Sequence, residues 1–146
     1  MEKHSVDQKI IEPNFLLQAY ASGYFPMAES KDGAIGWFSP DPRGILELDE
    51  LKVSRSLRST IRKKIFEIRL NTRFEEVIRA CGEREETWIS ETIVRTYRKL
   101  HELGFAHSVE TWKEGELVGG LYGVALGGAF FGESMFSKVR DASKVA

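Results

Sequence analysis

Residues able to do chemistry are few, and one of them breaks its local pattern. In Ala129-Phe130-Phe131-Gly132-Glu133-Ser134-Met135-Phe136 a single carboxylate stands inside an apolar run. Strand alternation puts Glu133 on the face of Ala129, Phe131 and Met135. Burial raises the pKa of such a carboxyl, and a cationic partner such as a substrate ammonium pulls it back. Two readings stay open at this point: a core glutamate bonded to an Arg or a backbone N–H, and a pocket glutamate that takes a cation. A second feature is the segment from Lys52 to Lys64, which no acid interrupts. Its Arg55, Arg58, Arg62, Lys63 and Lys64 form either a solvated helix face or a contact for a polyanion. A third lies near the C-terminal end of the sequence, where Asp141 is expected to cap a short helix. Free N–H groups at Asp141-Ala142-Ser143, with Lys138, Arg140 and Lys144 around them, suit a phosphate, although the Asp141 carboxylate opposes one. Trp37, Phe38 and Trp88 offer flat surfaces that either pack in the core or stack on nucleobases, at roughly 1–3 kcal/mol each.

Other chemistries have no support. The sequence holds no GxxxxGK[ST] phosphate loop, no GxGxxG, no HExxH and no GxSxG. His4, His101 and His107 share no metal-ligand spacing, and the lone Cys81 excludes a disulfide framework and a multi-cysteine metal site. No metal and no cofactor are expected. With 146 residues, 21 basic against 22 acidic and a net charge of −1, the chain fits one ordinary domain's length, and any nucleic-acid contact must come from a local patch. No run reaches the ~18–20 apolar residues of a membrane span, and Met1–Lys9 is too polar for a signal peptide, so a cytoplasmic protein without a membrane partner is expected.

These side chains need elements to position them. Asn14 is a plausible N-cap for a helix through Tyr20, closed by Gly23. Leu46 and Leu48, then Phe66, Ile68 and Leu70, alternate with charged residues as half-buried strands do. Between them Ser54 can cap a helix whose core face holds Leu57 and Ile61. Thr72 and Glu75 form a capping-box pattern before Phe74, Val77, Ile78 and Cys81. Ser90 opens a helix through Ile93, Tyr97 and Leu100, and Gly104 closes it. Ser108–Trp112, Leu117–Leu126 and Ala129–Phe136 read as an antiparallel meander with a tight turn at Gly127-Gly128. Its Gly119, Gly120 and Gly123 weaken a strand unless a ligand or another backbone comes close. The fold class expected is α/β in the α+β sense, with domains at 1–70 and 71–146.

The motifs Gly36-Trp37-Phe38-Ser39-Pro40-Asp41-Pro42-Arg43, Val53-Ser54-Arg55-Ser56-Leu57-Arg58, Thr87-Trp88-Ile89, Leu100-His101-Glu102-Leu103-Gly104, and Phe131 to Ser137 followed by Asp141-Ala142-Ser143-Lys144 together resemble the leucyl/phenylalanyl-tRNA-protein transferases. The resemblance spans residues 13–146. It implies a bacterial cytoplasmic enzyme that moves Leu or Phe from aminoacyl-tRNA to the N-terminal Arg or Lys of acceptor proteins, tagging them for degradation by the N-end rule. It also implies a small N-terminal α/β domain followed by a sheet like that of acyl-CoA N-acyltransferases, incomplete here. Glu133 would be the catalytic-site residue that holds the aminoacyl ammonium. Trp88, Phe131, Met135 and Ser137 would bind substrate, and Arg55, Arg58, Arg62, Lys63 and Lys64 would meet the tRNA backbone. The sequence departs from the family in Met27, where many members carry Trp, and in lacking a Gly-Gly-Asp-Leu-Ser stretch near the N-terminus. Family members continue to an Asp-Cys-Gln strand whose Asp and Gln activate the attacking amine, and this sequence stops before it. From that follow two expectations: a poorly folded C-terminal third with no transferase activity, and an alternative role as a noncatalytic aminoacyl-tRNA binding module. An acyl-CoA acetyltransferase-like domain is a third reading, opposed by the missing pyrophosphate loop.

Overall fold

A computed structural model describes residues 9–146, so His4 and all of Met1–Lys9 but its last residue lie outside the described residues. Helix α1 (Pro13–Ala21) starts two residues earlier than expected, because Pro13 fits the first helical position and Glu12, not Asn14, caps it by accepting from Phe15 N at 2.9 Å. Leu16 and Tyr20, one turn apart, both enter the core. Strands β1 (Phe25–Ala28) and β2 (Ile35–Phe38) pair antiparallel as a separate two-stranded sheet. The strand expected at Leu46 and Leu48 does not form. Both side chains are exposed, Leu48–Glu50 makes a single 3-10 turn, and no neighbouring strand supplies a ladder for so short an apolar alternation.

Helix α2 (Arg55–Arg62) is capped as expected, with Ser54 Oγ accepting from Leu57 N at 3.1 Å. Its expected core face is not buried: α2 contributes no buried residue, and Ile61 is exposed. Strand β3 (Glu67–Leu70) then leads into α3 (Phe74–Cys81), α4 (Glu91–Glu102), β4 (Ala106–Lys113), β5 (Glu116–Leu126), β6 (Ala129–Ser137) and the single turn α5 (Ala142–Val145). The four strands β3-β4-β5-β6 lie in that order, each antiparallel to the next, so the expected meander is present and the fold is a mixed α+β one.

Two adjacent glycines of β5 show how the sheet is covered. A Cβ on Gly120 would meet Phe136 and Val77 of α3, whereas one on Gly119 would lie 2.6 Å from Cβ of Ala142 in α5. Successive residues of a strand face opposite ways, so α3 and α5 cover opposite faces. On the first face Phe74, Val77, Ile78 and Cys81 of α3, Ile93, Val94, Tyr97 and Leu100 of α4, and Leu16 and Tyr20 of α1 join Tyr122, Val124 and Phe136 of the sheet in one core.

The start of α3 departs from the capping-box pattern. Arg73 holds the N-cap position without a side-chain cap bond, and the helix start is held by Glu110 from β4. Glu110 is fully buried and accepts from Thr72 N at 2.9 Å, Arg73 N at 3.0 Å, Ser108 Oγ at 2.7 Å, Trp112 Nε1 at 3.3 Å and the Thr72 hydroxyl. Burial alone would raise its pKa, but these donors outweigh burial and hold the carboxyl below its usual range.

Candidate active site

Glu133 owes its position to a break in the β5–β6 ladder. Tyr122 pairs with Ser134 and Gly123 with Gly132, so Glu133 is the extra residue of a β-bulge. Simple alternation fails at that point. Met135 pairs with Leu121 on the face opposite to Tyr122 and is about half exposed, so it does not share a face with Phe131 as expected. Phe131, opposite Val124, keeps its place beside the core, and its ring lies 5.1 Å from that of Tyr20.

The bulge turns the Glu133 carboxylate towards α1. Tyr20 donates from its hydroxyl to Glu133 Oε1 at 2.5 Å, and the Tyr20 and Tyr97 hydroxyls are themselves 2.5 Å apart. Helix spacing explains the convergence, since Tyr20 follows Leu16 on the buried stripe of α1 and Tyr97 lies between Ile93 and Leu100 on that of α4. The ring of Tyr122 packs edge-on to Tyr97 at 5.7 Å, and its buried hydroxyl has no hydrogen-bond partner among the described residues. Arg43 completes the surroundings: its guanidinium lies 5.7 Å from the Phe131 ring centroid and donates to Gly23 O at 3.2 Å.

Electrostatically this is a strained carboxylate. Burial raises the pKa of Glu133, while the Tyr20 hydrogen bond and the Arg43 charge draw it down without restoring the ordinary value. Burial and the adjacent groups push Tyr20 and Tyr97 far above the usual phenol range, so both remain neutral donors. The partner of Glu133 is thus a neutral hydroxyl, neither the Arg salt bridge nor the backbone N–H of the core reading. A negative site beside an aromatic ring and short of a full counter-charge suits a small cation carrying an apolar group.

The remaining residues singled out in the sequence lie elsewhere. Trp88 is half-buried against the core, and its carbonyl accepts from Ala28 N at 3.1 Å, tying β1 to the loop before α4. Ser137 organises the turn after β6, donating to Val139 O at 2.8 Å and accepting from Ser143 N at 3.2 Å. Asp141 occupies the N-cap position of α5 in the left-handed region (φ 66°) without a side-chain cap bond, so the expected cap is positional only. Arg55, Arg58, Arg62, Lys63 and Lys64 stand together on or just after α2. Cys81 is buried, as expected of a core residue, and burial raises its thiol to about 11. His101 stacks on Phe74 and bonds Ala106 O, while His107 bonds Asn71. Among the described residues no three His, Cys, Asp or Glu side chains gather as metal ligands. Tyr20, Tyr97 and Arg43 were not singled out from the sequence; the signal was two phenols on otherwise apolar helical stripes, each needing a buried partner.

Comparison with known proteins decides the family. The family model described as leucyl/phenylalanyl-tRNA protein transferase matches residues 45–146, and that of its N-terminal domain matches residues 10–41. The chain belongs to the leucyl/phenylalanyl-tRNA protein transferase family. It is 60% identical over 136 residues to the leucyl/phenylalanyl-tRNA–protein transferase of Gloeobacter violaceus, covering 93% of this chain and 70% of that protein. The transferase of that name from Herpetosiphon aurantiacus is 58% identical over 139 residues, with 94% and 72% covered. That from Chlorobaculum tepidum is 53% identical over 141 residues, with 94% and 73% covered. Membership makes this an aminoacyltransferase by family, and the family resemblance read from six short motifs holds over nearly the whole chain. Among the described residues no helix is long and apolar enough to cross a membrane.

Proposed function

We propose that the chain binds the aminoacyl end of Leu- or Phe-tRNA at Glu133 and serves transfer of that amino acid to proteins bearing N-terminal Arg or Lys. The observation that carries this reading is Glu133 itself. It is a carboxylate bulged out of a strand, held by Tyr20, bordered by Phe131 and lacking a full counter-charge. An esterified Leu or Phe presents an ammonium one carbon from an apolar side chain, which matches such a surrounding. Trp88 provides an aromatic face for the terminal nucleoside, and the α2 cations neutralise tRNA phosphates. Met135 and Ser137 enter the proposal only through the family resemblance, since one is on the far face and the other, at the end of β6, is engaged by the turn that follows.

In the reaction proposed, the neutral α-amine of the acceptor attacks the ester carbonyl, the C–N bond forms as the C–O bond to the tRNA ribose breaks, and the proton leaves the amine as the ribose hydroxyl is regenerated. No covalent enzyme intermediate is required. Holding both reactants in place supplies most of the acceleration. Such chemistry belongs in a bacterial cytoplasm and to N-end rule tagging. Transfer of labelled Leu from Leu-tRNA to peptides beginning with Arg, Lys or Ala tests it. Transfer to Arg and Lys but not Ala peptides would support it and overturn the expectation of an inactive chain; tight binding of Leu-tRNA with no transfer by this chain would favour the binding-module alternative.

A further inference from the structure

The cations of this protein divide into two populations. Arg69, Arg73, Arg79, Arg95 and Arg98 each pair with a glutamate. Among the described residues no carboxylate stands within ion-pair distance of Lys63, Lys113 or Arg140, although they come from three separate segments and line one cavity of about 440 Å³. Lys63 follows α2, Lys113 ends β4, and Arg140 lies in the turn between β6 and α5.

The helix side of this cavity is also unusual. Ser56, Ser59, Thr60 and Lys63 follow the i, i+3, i+4, i+7 spacing of one helical stripe, and all four line it. Arg55, Arg58 and Arg62 form a different stripe. A helix that buries nothing thus turns three hydroxyls and a lysine towards two further cations. The cavity's one acid, Asp141, has its own cation, since Lys144 Nζ is 3.7 Å from Asp141 Oδ1. Like charges gathered from distant segments repel unless an anion sits among them, and hydroxyls beside cations are the donors that a tetrahedral anion accepts from.

We propose that this cavity binds a phosphodiester of the RNA substrate, with Lys63, Lys113 and Arg140 supplying charge and Ser56 and Ser59 supplying hydroxyl donors, while the Thr60 hydroxyl beside them donates to Ser56 O at 3.1 Å. The inference rests on the reading of the chain as an aminoacyl-tRNA binder and adds to it a second, built contact beyond the α2 arginines. It lies past the C-terminal end of the strand that carries Glu133, so one strand would link the aminoacyl end to a backbone anchor.

Filter binding of tRNA across a salt series tests it with two variants of the full chain. In the double variant Lys113→Gln, Arg140→Gln, the slope of log affinity against log salt should flatten by about 0.7–0.9, the loss of one phosphate contact. Thr60→Glu leaves every cation in place but puts a carboxylate in the cavity, and should weaken binding at least tenfold at low salt. Slopes and affinities equal to the parent's in both variants would overturn the cavity assignment while leaving tRNA binding by the parent intact. A parent that fails to bind tRNA at all would overturn the underlying reading and this inference with it.

Discussion

At the residue scale, Glu133 and Glu110 show how one residue type meets opposite fates. Glu110 is buried among five donors that keep it ionised, whereas Glu133 has one neutral donor and a raised pKa. Removing the Glu110 carboxylate leaves two backbone N–H groups at the start of α3 without an acceptor, so Glu110→Ala should cost on the order of 3 kcal/mol in chemical denaturation. Its lowered pKa adds stability above the ordinary carboxylate pKa, a contribution lost as pH falls through the folded value. Glu133 has the reverse sign: its ionised form is the costly one, and protonation on acidification relieves that cost while abolishing attraction for a cation. Affinity for an aminoacyl ammonium should therefore fall with decreasing pH from a point above the usual carboxylate range. Tyr20→Phe, which removes the donor, should shift that loss to still higher pH in titrations of puromycin binding. An unshifted titration would mean that the Tyr20 bond does not tune the carboxylate.

At the element scale, β5 and β6 carry most of what the sheet does. Gly119 admits α5 to one face, and an added methyl would meet both Cβ and the backbone carbon of Ala142, at 2.6 and 2.9 Å. Gly119→Ala should destabilise by about 1–3 kcal/mol in urea melts, while Gly128→Ala, with nothing within 4 Å, should be close to neutral. Strands β3 to β6, the tight turn and helices α1 to α4 were legible in the sequence because their apolar residues repeat at periods of two or of three and four, whereas β1 and β2 fall in a segment rich in aromatic and turn residues that shows no such period. The bulge was not, since one inserted residue leaves composition untouched while reversing which side chains share a face. That single irregularity separates Met135 from Phe131 and aims Glu133 at Tyr20. The start of α3 was misread for a related reason: its acceptor, Glu110, lies 38 residues away in sequence and is brought there by the sheet. Leu57 and Ile61 have helical spacing, but the only helix beside them is the single turn α5, which leaves Leu57 half-buried and Ile61 exposed among the described residues, so periodicity indicated α2 correctly and its core face only in part.

At the scale of the whole molecule, charge and burial are segregated although the net charge is −1. Paired arginines decorate α3 and α4, and among the described residues cations without a carboxylate in ion-pair distance gather on α2 and, at Arg140, in the turn before α5. Reversing Arg55, Arg58 and Arg62 to Glu should leave the melting temperature within a few degrees, because α2 contributes nothing buried, but should flatten the salt dependence of tRNA binding. An unchanged slope would reduce this stripe to a solvated surface. Of the motifs that carried the family resemblance, Phe131 to Ser137 spans the bulge, where geometry restricts residue type, whereas Val53 to Arg58 lies at the start of the exposed α2. The central claim is that Glu133 recognises the aminoacyl ammonium, and the most direct measurement compares puromycin with its analogue bearing a hydroxyl in place of that ammonium. The parent chain should prefer the ammonium by about 10–100-fold, as a charge-assisted hydrogen bond gives, and Glu133→Gln should erase most of the preference. Equal preference in the parent and in Glu133→Gln would contradict it.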